Sequence, residues 1–217
     1  MNEEFIKQKK FWNREAKNFD SIYSHEKNKI KNLLDSIFRW DMYKRYEYAM
    51  EASKPISNRM FLDVGCGTGL YSLSLAKDNA QKVVGIDISE TMIKICQNRA
   101  NQEGLNGKCL FIQTDLINYM PVEKFDVCIG IGLFDYIKEP LPVLAKMKTL
   151  IRDKAIMSFP RAKTWRSVLR MLRLALKGCN VYFYTKTSIE NLLKKAGFKK
   201  YDFKKIGQLY CVIVNSS

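Results

Sequence analysis

The sequence predicts an α/β fold in which a mostly parallel sheet is covered by helices on both faces. Short apolar segments alternate with longer segments in which apolar residues recur every three or four positions. The segment 125–132, FDVCIGIG, is almost entirely apolar, as expected for a strand buried on both faces. The segment 61–69, FLDVGCGTG, reads as a strand followed by a glycine-rich turn, and a helix is predicted directly after it. This order is typical of a doubly wound nucleotide-binding sheet.

Length bounds the number of domains. The chain has 217 residues, which suits one α/β domain with a substantial core and is short for two. We expect a single domain over 1–217, with a helical cap at 1–58 and the sheet-containing core at 59–217.

Composition bears on location and on metal binding. The first 12 residues carry charges rather than an unbroken apolar core, so we expect no secretory signal, and no apolar run predicts a membrane span. The six cysteines form no C-x-x-C pair, which indicates reduced, buried thiols in a cytoplasmic protein. With a single histidine, His25, the sequence predicts no metal site.

The formal net charge of +15 is the abnormal bulk property. It suits nucleic acid, anionic lipid or an acidic small molecule as a partner. A solvated lysine-rich surface explains it equally well.

The first 58 residues predict helices. Apolar residues in 3–23 have helical spacing among charges, which predicts one or two amphipathic cap helices. A further helix is predicted over 26–53, and Pro55, Ser57 and Asn58 end the pattern before the first strand.

The glycine turn carries the most specific motif. Gly65, Gly67 and Gly69 let the backbone turn sharply and approach a ligand closely. A nicotinamide or flavin site needs glycine at 65, 67 and 70, and position 70 is leucine. Asp63 followed by G-x-G-x-G resembles the first motif of class I S-adenosylmethionine-dependent methyltransferases. A glycine-rich turn without a ligand is the alternative.

The resemblance implies S-adenosyl-L-methionine as the cofactor. In this first motif it implies that the cofactor-binding residues are Asp63, Gly65, Cys66 and Gly67.

The second strand, 82–87, ends in Asp87, where a carboxylate can accept from both ribose hydroxyls. Ser89 is the expected N-cap of the following helix, 90–103. The stretch DISETM resembles the second motif of the family, which implies that Ile88 and Met92 sandwich the adenine. Core packing of both residues is equally consistent with their spacing.

The third and fourth strands supply further candidates at their carboxyl ends. The third, 109–115, ends in Asp115, followed by Leu116, and the resemblance implies an acid that accepts from the adenine amino group. A loop or helix-capping acid is the alternative. After the fourth strand, glycines leave space where ligands of open α/β sheets bind, so Gly130 and Ile131 are also candidates for cofactor binding.

The acceptor side is predicted from two places in the chain. Asp135 and Tyr136 fall where small-molecule methyltransferases have polar residues facing the methyl acceptor, although capping and packing roles remain open. The aromatic pattern at 11–23 resembles the N-terminal lid of these enzymes, which implies Tyr23 as a third residue on the acceptor side. Packing is the alternative for this aromatic pattern as well.

The C-terminal third predicts two helices, three strands and one unusual segment. We expect a helix at 141–150, a strand at 154–159 ended by Pro160, a helix at 185–197 capped by Thr187 or Ser188, and a hairpin of strands 199–206 and 209–214. As in the resembled family, this gives a Rossmann-like seven-stranded sheet with an antiparallel C-terminal strand.

The segment 165–177 predicts a basic amphipathic helix. Its charges are either solvated or directed at a membrane surface, an acidic partner or an anionic substrate. The whole basic segment, 161–177, is therefore a candidate for peripheral membrane contact.

The predicted activity is methyl transfer from S-adenosylmethionine to an oxygen, nitrogen or carbon atom of a small molecule. If the basic segment binds this acceptor, the acceptor is anionic. The segment 156–160, IMSFP, with the basic helix after it, and the tyrosine-containing stretch 181–184 resemble magnesium-protoporphyrin methyltransferases; quinone-biosynthesis methyltransferases are the next most similar subfamily. An RNA or DNA methyltransferase is the alternative, but residues 130–137 contain neither an Asn/Asp-Pro-Pro-aromatic nor a Pro-Cys motif. A non-catalytic binding protein is a third class.

Overall fold

A computed structural model describes residues 3–23, 32–162, 174–175 and 178–216, with side chains described for 6–16, 40–162, 174–175 and 178–216. The predicted basic helix at 165–177 lies outside the described residues except at two positions. Residues 24–31, including His25, also lie outside them.

Seven strands form one sheet in the order β3-β2-β1-β4-β5-β7-β6. The strands are β1 (Met60–Val64), β2 (Lys82–Asp87), β3 (Cys109–Gln113), β4 (Phe125–Gly130), β5 (Ile151–Pro160), β6 (Tyr201–Ile206) and β7 (Leu209–Asn215). The pairs among β1 to β5 are parallel, whereas β7 runs antiparallel to both β5 and β6. The predicted fold class is confirmed.

Six helices are described. They are α1 (Glu3–Tyr23), α2 (Asn32–Ala52), α3 (Leu70–Lys77), α4 (Glu90–Gln102), α5 (Pro140–Leu150) and α6 (Lys186–Lys195). The expected N-terminal helices are present, and α1 packs against α4. Among the described helices, none combines the length and the apolar character needed to cross a membrane.

The core lies on both faces of the sheet because alternate strand residues point to opposite sides. Leu62 and Cys128 belong to the apolar cluster that includes α5 and α6 residues, whereas Phe61 and Val127 belong to the cluster around α2 and α3. All five residues of β1 are buried, which explains its unbroken apolar character apart from Asp63.

Besides shifts of one or two residues at other element ends, three boundaries near the site and at α6 differ from the sequence expectation. β5 begins at Ile151, earlier than expected, because it pairs with Phe125 through an irregular register. β3 ends at Gln113, before Asp115. The N-cap of α6 is Thr185 rather than Thr187 or Ser188, since the Thr185 hydroxyl accepts from the Ser188 N–H at 3.1 Å and completes a capping box.

Candidate cofactor and acceptor site

The glycine turn lies at the carboxyl edge of the sheet, between β1 and α3. The N–H groups of Gly65 and Cys66 both donate to the carbonyl of Ile86 on β2, at 2.8 and 3.0 Å. Gly65, Gly67 and Gly69 all have positive φ angles, of 69°, 55° and 85°. A side chain at any of them is strained, so the turn keeps bare backbone facing the space above the sheet.

Asp87 lies beside this turn. Its Oδ2 accepts from the Gly67 N–H at 3.0 Å, and its Oδ1 accepts from the Ser89 N–H at 2.8 Å. Burial raises the pKa of the Asp87 carboxyl, while these backbone hydrogen bonds oppose the rise. A carboxylate has about four acceptor positions, so Asp87 keeps capacity for ligand hydroxyls.

Asp63 is 2 % exposed and holds the start of α3. Its Oδ2 accepts from the Ser72 hydroxyl at 2.6 Å. Burial raises the pKa of the Asp63 carboxyl to about 6, the neighbouring Asp87 adds to the rise, and the Ser72 bonds oppose it. The buried Asp63 and the half-buried Asp87 at one turn favour a ligand that brings hydrogen-bond donors or positive charge.

Two contacts of the glycine turn were not predicted from the sequence. The Cys96 thiol on α4 donates to the Gly67 carbonyl at 3.0 Å, and Arg99 Nη1 donates to the Thr68 carbonyl at 3.0 Å. The Cys96 thiol and burial both raise the pKa of the Cys66 thiol, so Cys66 stays protonated. The sequence predicted that Cys96 and Arg99 lie on the same helix, but it gave no indication that they contact the glycine turn.

The predicted adenine-binding residues surround the start of α4 and the end of β3. Ser89 caps α4 as expected, since its hydroxyl accepts from the Met92 N–H at 3.2 Å. Met92 and Leu116 are buried and Ile88 is half-buried. Asp115 accepts from both the backbone and side-chain nitrogens of Asn118, at 2.9 and 2.6 Å. Binding of adenine by these residues stays a prediction.

Helix α1 lies across the carboxyl edge and contacts both sides of the site. The side-chain oxygen of Asn13 accepts from the Ser89 hydroxyl at 2.7 Å. The amide of Gln8 donates to the carbonyl of Tyr136, and the Trp12 ring meets the Tyr136 ring edge-on, with centroids 4.9 Å apart. Asn13 and Gln8 were not predicted, because nothing in an amphipathic pattern shows which element its polar residues reach.

The loop after β4 brings the acceptor-side candidates to the same edge. Gly130 and Ile131 are buried at the end of β4, and Asp135 is 2 % exposed. The structure therefore places Tyr136 against α1 and buries Asp135 next to it in the same loop. Tyr23 is the last residue of α1, but its side chain lies outside the described set, so its convergence with them stays a prediction.

The segment at 181–184 donates hydrogen bonds that hold this loop in place. The Tyr182 N–H donates to the Asp135 carbonyl at 2.8 Å. The Tyr184 hydroxyl is shared between the carbonyls of Phe134 and Ile137, at 3.1 and 3.3 Å. Tyr184 is thus a positioning residue for the acceptor-side loop, and the sequence alone did not reveal it.

These residues fit S-adenosylmethionine. A Cβ on Gly65 would lie 3.0 Å from Leu133 Cδ1, so the glycine leaves a cradle that a side chain would fill. The half-buried Asp87 carboxylate suits the ribose hydroxyls, and the acids together suit the cofactor's cationic groups. Among the described residues, no group of three or more His, Cys, Asp or Glu side chains could hold a metal ion.

Comparison with known proteins agrees with this geometry. A family model described as "Methyltransferase domain" matches residues 56–204. The magnesium protoporphyrin IX methyltransferase of Synechocystis PCC 6803, solved with bound S-adenosylhomocysteine, superposes with a TM-score of 0.80 at 20% identity, covering 99% of this chain and 100% of that one.

Curated relatives include enzymes named for RNA and for small-molecule acceptors. The tRNA U34 carboxymethyltransferase of Glaesserella parasuis serovar 5 (strain SH0165) is 30% identical over 179 residues, which are 76% of this chain and 51% of the relative. The ubiquinone biosynthesis O-methyltransferase of Pasteurella multocida (strain Pm70) is 27% identical over 155 residues, 64% of each chain. The chain thus spans about half the length of the first of these relatives.

Proposed function

Because this chain belongs to the methyltransferase domain family and is a class I S-adenosylmethionine-dependent methyltransferase, we propose that it transfers a methyl group to a small-molecule acceptor. The supporting observation is the position of α1, whose Asn13 and Trp12 contact opposite sides of the site at Ser89 and Tyr136. A site covered in this way suits a small acceptor better than a nucleotide within a polymer.

The cofactor supplies a methyl group that is already activated by its sulfonium. The protein's task is therefore to align the acceptor, for which orientation can account for about 7 to 11 kcal/mol of the barrier. Gly65, Gly67 and Asp87 would hold the cofactor, and Asp63 would favour its positive charge. Tyr23, Asp135 and Tyr136 would position the acceptor, and one of them would receive a proton if the acceptor must lose one.

The test is methyl transfer to a metabolite extract. Purified protein is incubated with S-adenosylmethionine carrying a deuterated methyl group, and the small-molecule and RNA fractions are analysed by mass spectrometry. The proposal predicts label in the small-molecule fraction together with S-adenosylhomocysteine. Label confined to RNA would contradict it.

RNA modification is a second candidate, favoured by the relative named for tRNA U34 and by the net charge of +15. Six lysines between the end of α6 and the end of the edge strand β6 are exposed and suit phosphates; they are Lys194, Lys195, Lys199, Lys200, Lys204 and Lys205. If the protein modifies RNA, tRNA becomes labelled in the same experiment, and the affinity of the protein for tRNA falls steeply as salt is added.

The same proposal locates the enzyme in the cytoplasm. All six cysteines are free thiols, a state that reducing compartments maintain. Contact of 161–177 with a membrane surface remains a separate proposal from sequence.

A further inference from the structure

Arg161 follows β5 at the edge of the sheet that carries the cofactor turn. β5 runs parallel to β4, so both strands end at this edge, and the antiparallel β7 begins there because Pro160 pairs with Leu209. Gly132, after β4, donates its N–H to the Ser158 hydroxyl at 2.8 Å and so joins the two strand ends. Arg161 therefore lies on the acceptor half of the site, one strand beyond β4.

The guanidinium of Arg161 is held in place by the β6–β7 turn. Its Nη1 donates to the Gly207 carbonyl at 2.8 Å, and its central carbon lies 5.5 Å from the centroid of the Tyr210 ring. The Arg161 N–H also donates to the Gln208 carbonyl at 2.9 Å. A cation fixed in this way loses little conformational entropy when it binds a ligand.

Two polar atoms at this turn are buried without a hydrogen-bond partner. They are Nε of Arg161 and Oε1 of Gln208. Among the described residues, no ion pair of Arg161 is found. The Asp41 carboxylate lies at the same turn, where a Cβ added to Gly207 would collide with its Oδ1. Buried polar atoms that lack a partner are rare in native proteins and call for an explanation.

A carboxylate suits the Arg161 Nε–H, which is a donor, whereas Oε1 of Gln208 is itself an acceptor. A carboxylate can accept from Arg161 Nε and, after a 180° rotation of the Gln208 amide, from its Nε2 as well. A second arginine approaches from α2, since Arg45 Nη1 lies 3.5 Å from where a Cβ on Gly132 would be. Two arginines, Arg161 and Arg45, thus lie at this end of the acceptor half, beside the carboxylate of Asp41.

We propose that Arg161 and Gln208 bind a carboxylate of the methyl acceptor. The inference rests on the proposed small-molecule activity and names its substrate class. Because neighbouring strands are about 5 Å apart, the acid group would lie about 5 to 10 Å from the atom that is methylated above the end of β4. The acceptor is then an organic acid that carries the bound acid group in addition to its methylated atom.

The test compares an acid with its neutral isostere. Binding of 1-naphthoate and of 1-naphthamide is measured by NMR titration in the presence of saturating S-adenosylhomocysteine. The parent should bind the acid at least about tenfold more tightly than the amide, since a hydrogen bond to a charged group typically contributes that factor. Arg161→Gln should bring the ratio close to one.

Arg152→Gln is the matched control, because Arg152 lies on the same strand at the opposite edge, near Glu123 and Asp126. It should keep the parent's ratio. Gln208→Leu should lower the ratio and serves as the second variant if Arg161→Gln does not fold.

Several outcomes overturn the proposal. These are equal binding of acid and amide by the parent, no binding of the acid, an unchanged ratio in folded Arg161→Gln, and tighter Arg161-dependent binding of inorganic phosphate than of the acid. Titration with S-adenosylhomocysteine alone distinguishes failure of the proposed function from failure of the proposed carboxylate site. If the parent does not bind S-adenosylhomocysteine, the proposed function fails. If it binds S-adenosylhomocysteine but does not prefer the acid to the amide, only the carboxylate site is overturned.

Discussion

The backbone N–H of Gly67 donates to Oδ2 of Asp87 at 3.0 Å, which joins the turn after β1 to the end of β2. The two motifs are 20 residues apart in sequence but form one unit. The bond orients the carboxylate before any ligand binds, so less freedom is lost on binding. A change in either the glycine turn or Asp87 should therefore weaken cofactor binding by both.

Asp63 predicts a specific pH dependence of stability. Its carboxyl has an ordinary pKa of 3.8 that burial raises to about 6, so the folded state binds the proton more tightly than the unfolded state does. The ionised form is disfavoured in the fold, and this cost appears as pH rises from about 4 to 6.

Asp63→Asn removes that cost but can still accept from Ser72. The free energy of unfolding of the variant relative to the parent should therefore rise by on the order of 2 kcal/mol between pH 4 and pH 7. Urea unfolding at four pH values measures it, with the exposed Asp153→Asn as control. A relative stability that stays flat or falls with pH would show that Asp63 is not the group responsible.

Tyr184→Phe should loosen the loop after β4. The variant deprives the carbonyls of Phe134 and Ile137 of their shared donor, at a cost of about 1 to 3 kcal/mol. We expect a lower melting temperature and a raised KM for the acceptor, with affinity for S-adenosylhomocysteine nearly unchanged. Tyr201→Phe on β6 is the control. If the variant raises the acceptor KM and weakens cofactor affinity by the same factor, Tyr184 has a general structural role instead.

Asp135→Asn and Tyr23→Phe test the acceptor side without altering packing. If the two residues position the acceptor or handle its proton, each variant should slow methyl transfer clearly, by about 100-fold for a residue that handles the proton, the lower end of what one acid–base group contributes. Single-turnover rates at saturating cofactor are measured across pH, with the acceptor identified by the labelling experiment. Parent-like rates for both variants would show that Asp135 and Tyr23 are structural and that other residues align the acceptor.

Sequence reasoning predicted the elements whose signal is local. The strands around Phe61 and Val127, the Ser89 cap and the positive-φ glycines follow from apolar periodicity and from a turn that admits only small residues. Arg161, Gln208 and Asn13 were missed because their roles depend on which elements meet in space. The cap of α6 was misplaced because Thr185, Thr187 and Ser188 all suit a cap, and only the geometry selects Thr185.

Calorimetric titration with S-adenosylhomocysteine of the parent, Gly67→Val and Asp87→Ala tests the central claim most directly. The β-branched side chain at a φ of 55° should abolish binding, and loss of the carboxylate should weaken it about 10- to 100-fold. Gly107→Val and Asp153→Ala are the controls, since a Cβ on Gly107 meets nothing within 4 Å and Asp153 is exposed at the opposite edge. Parent-like affinity in both folded variants would contradict the assignment of the cofactor to this turn.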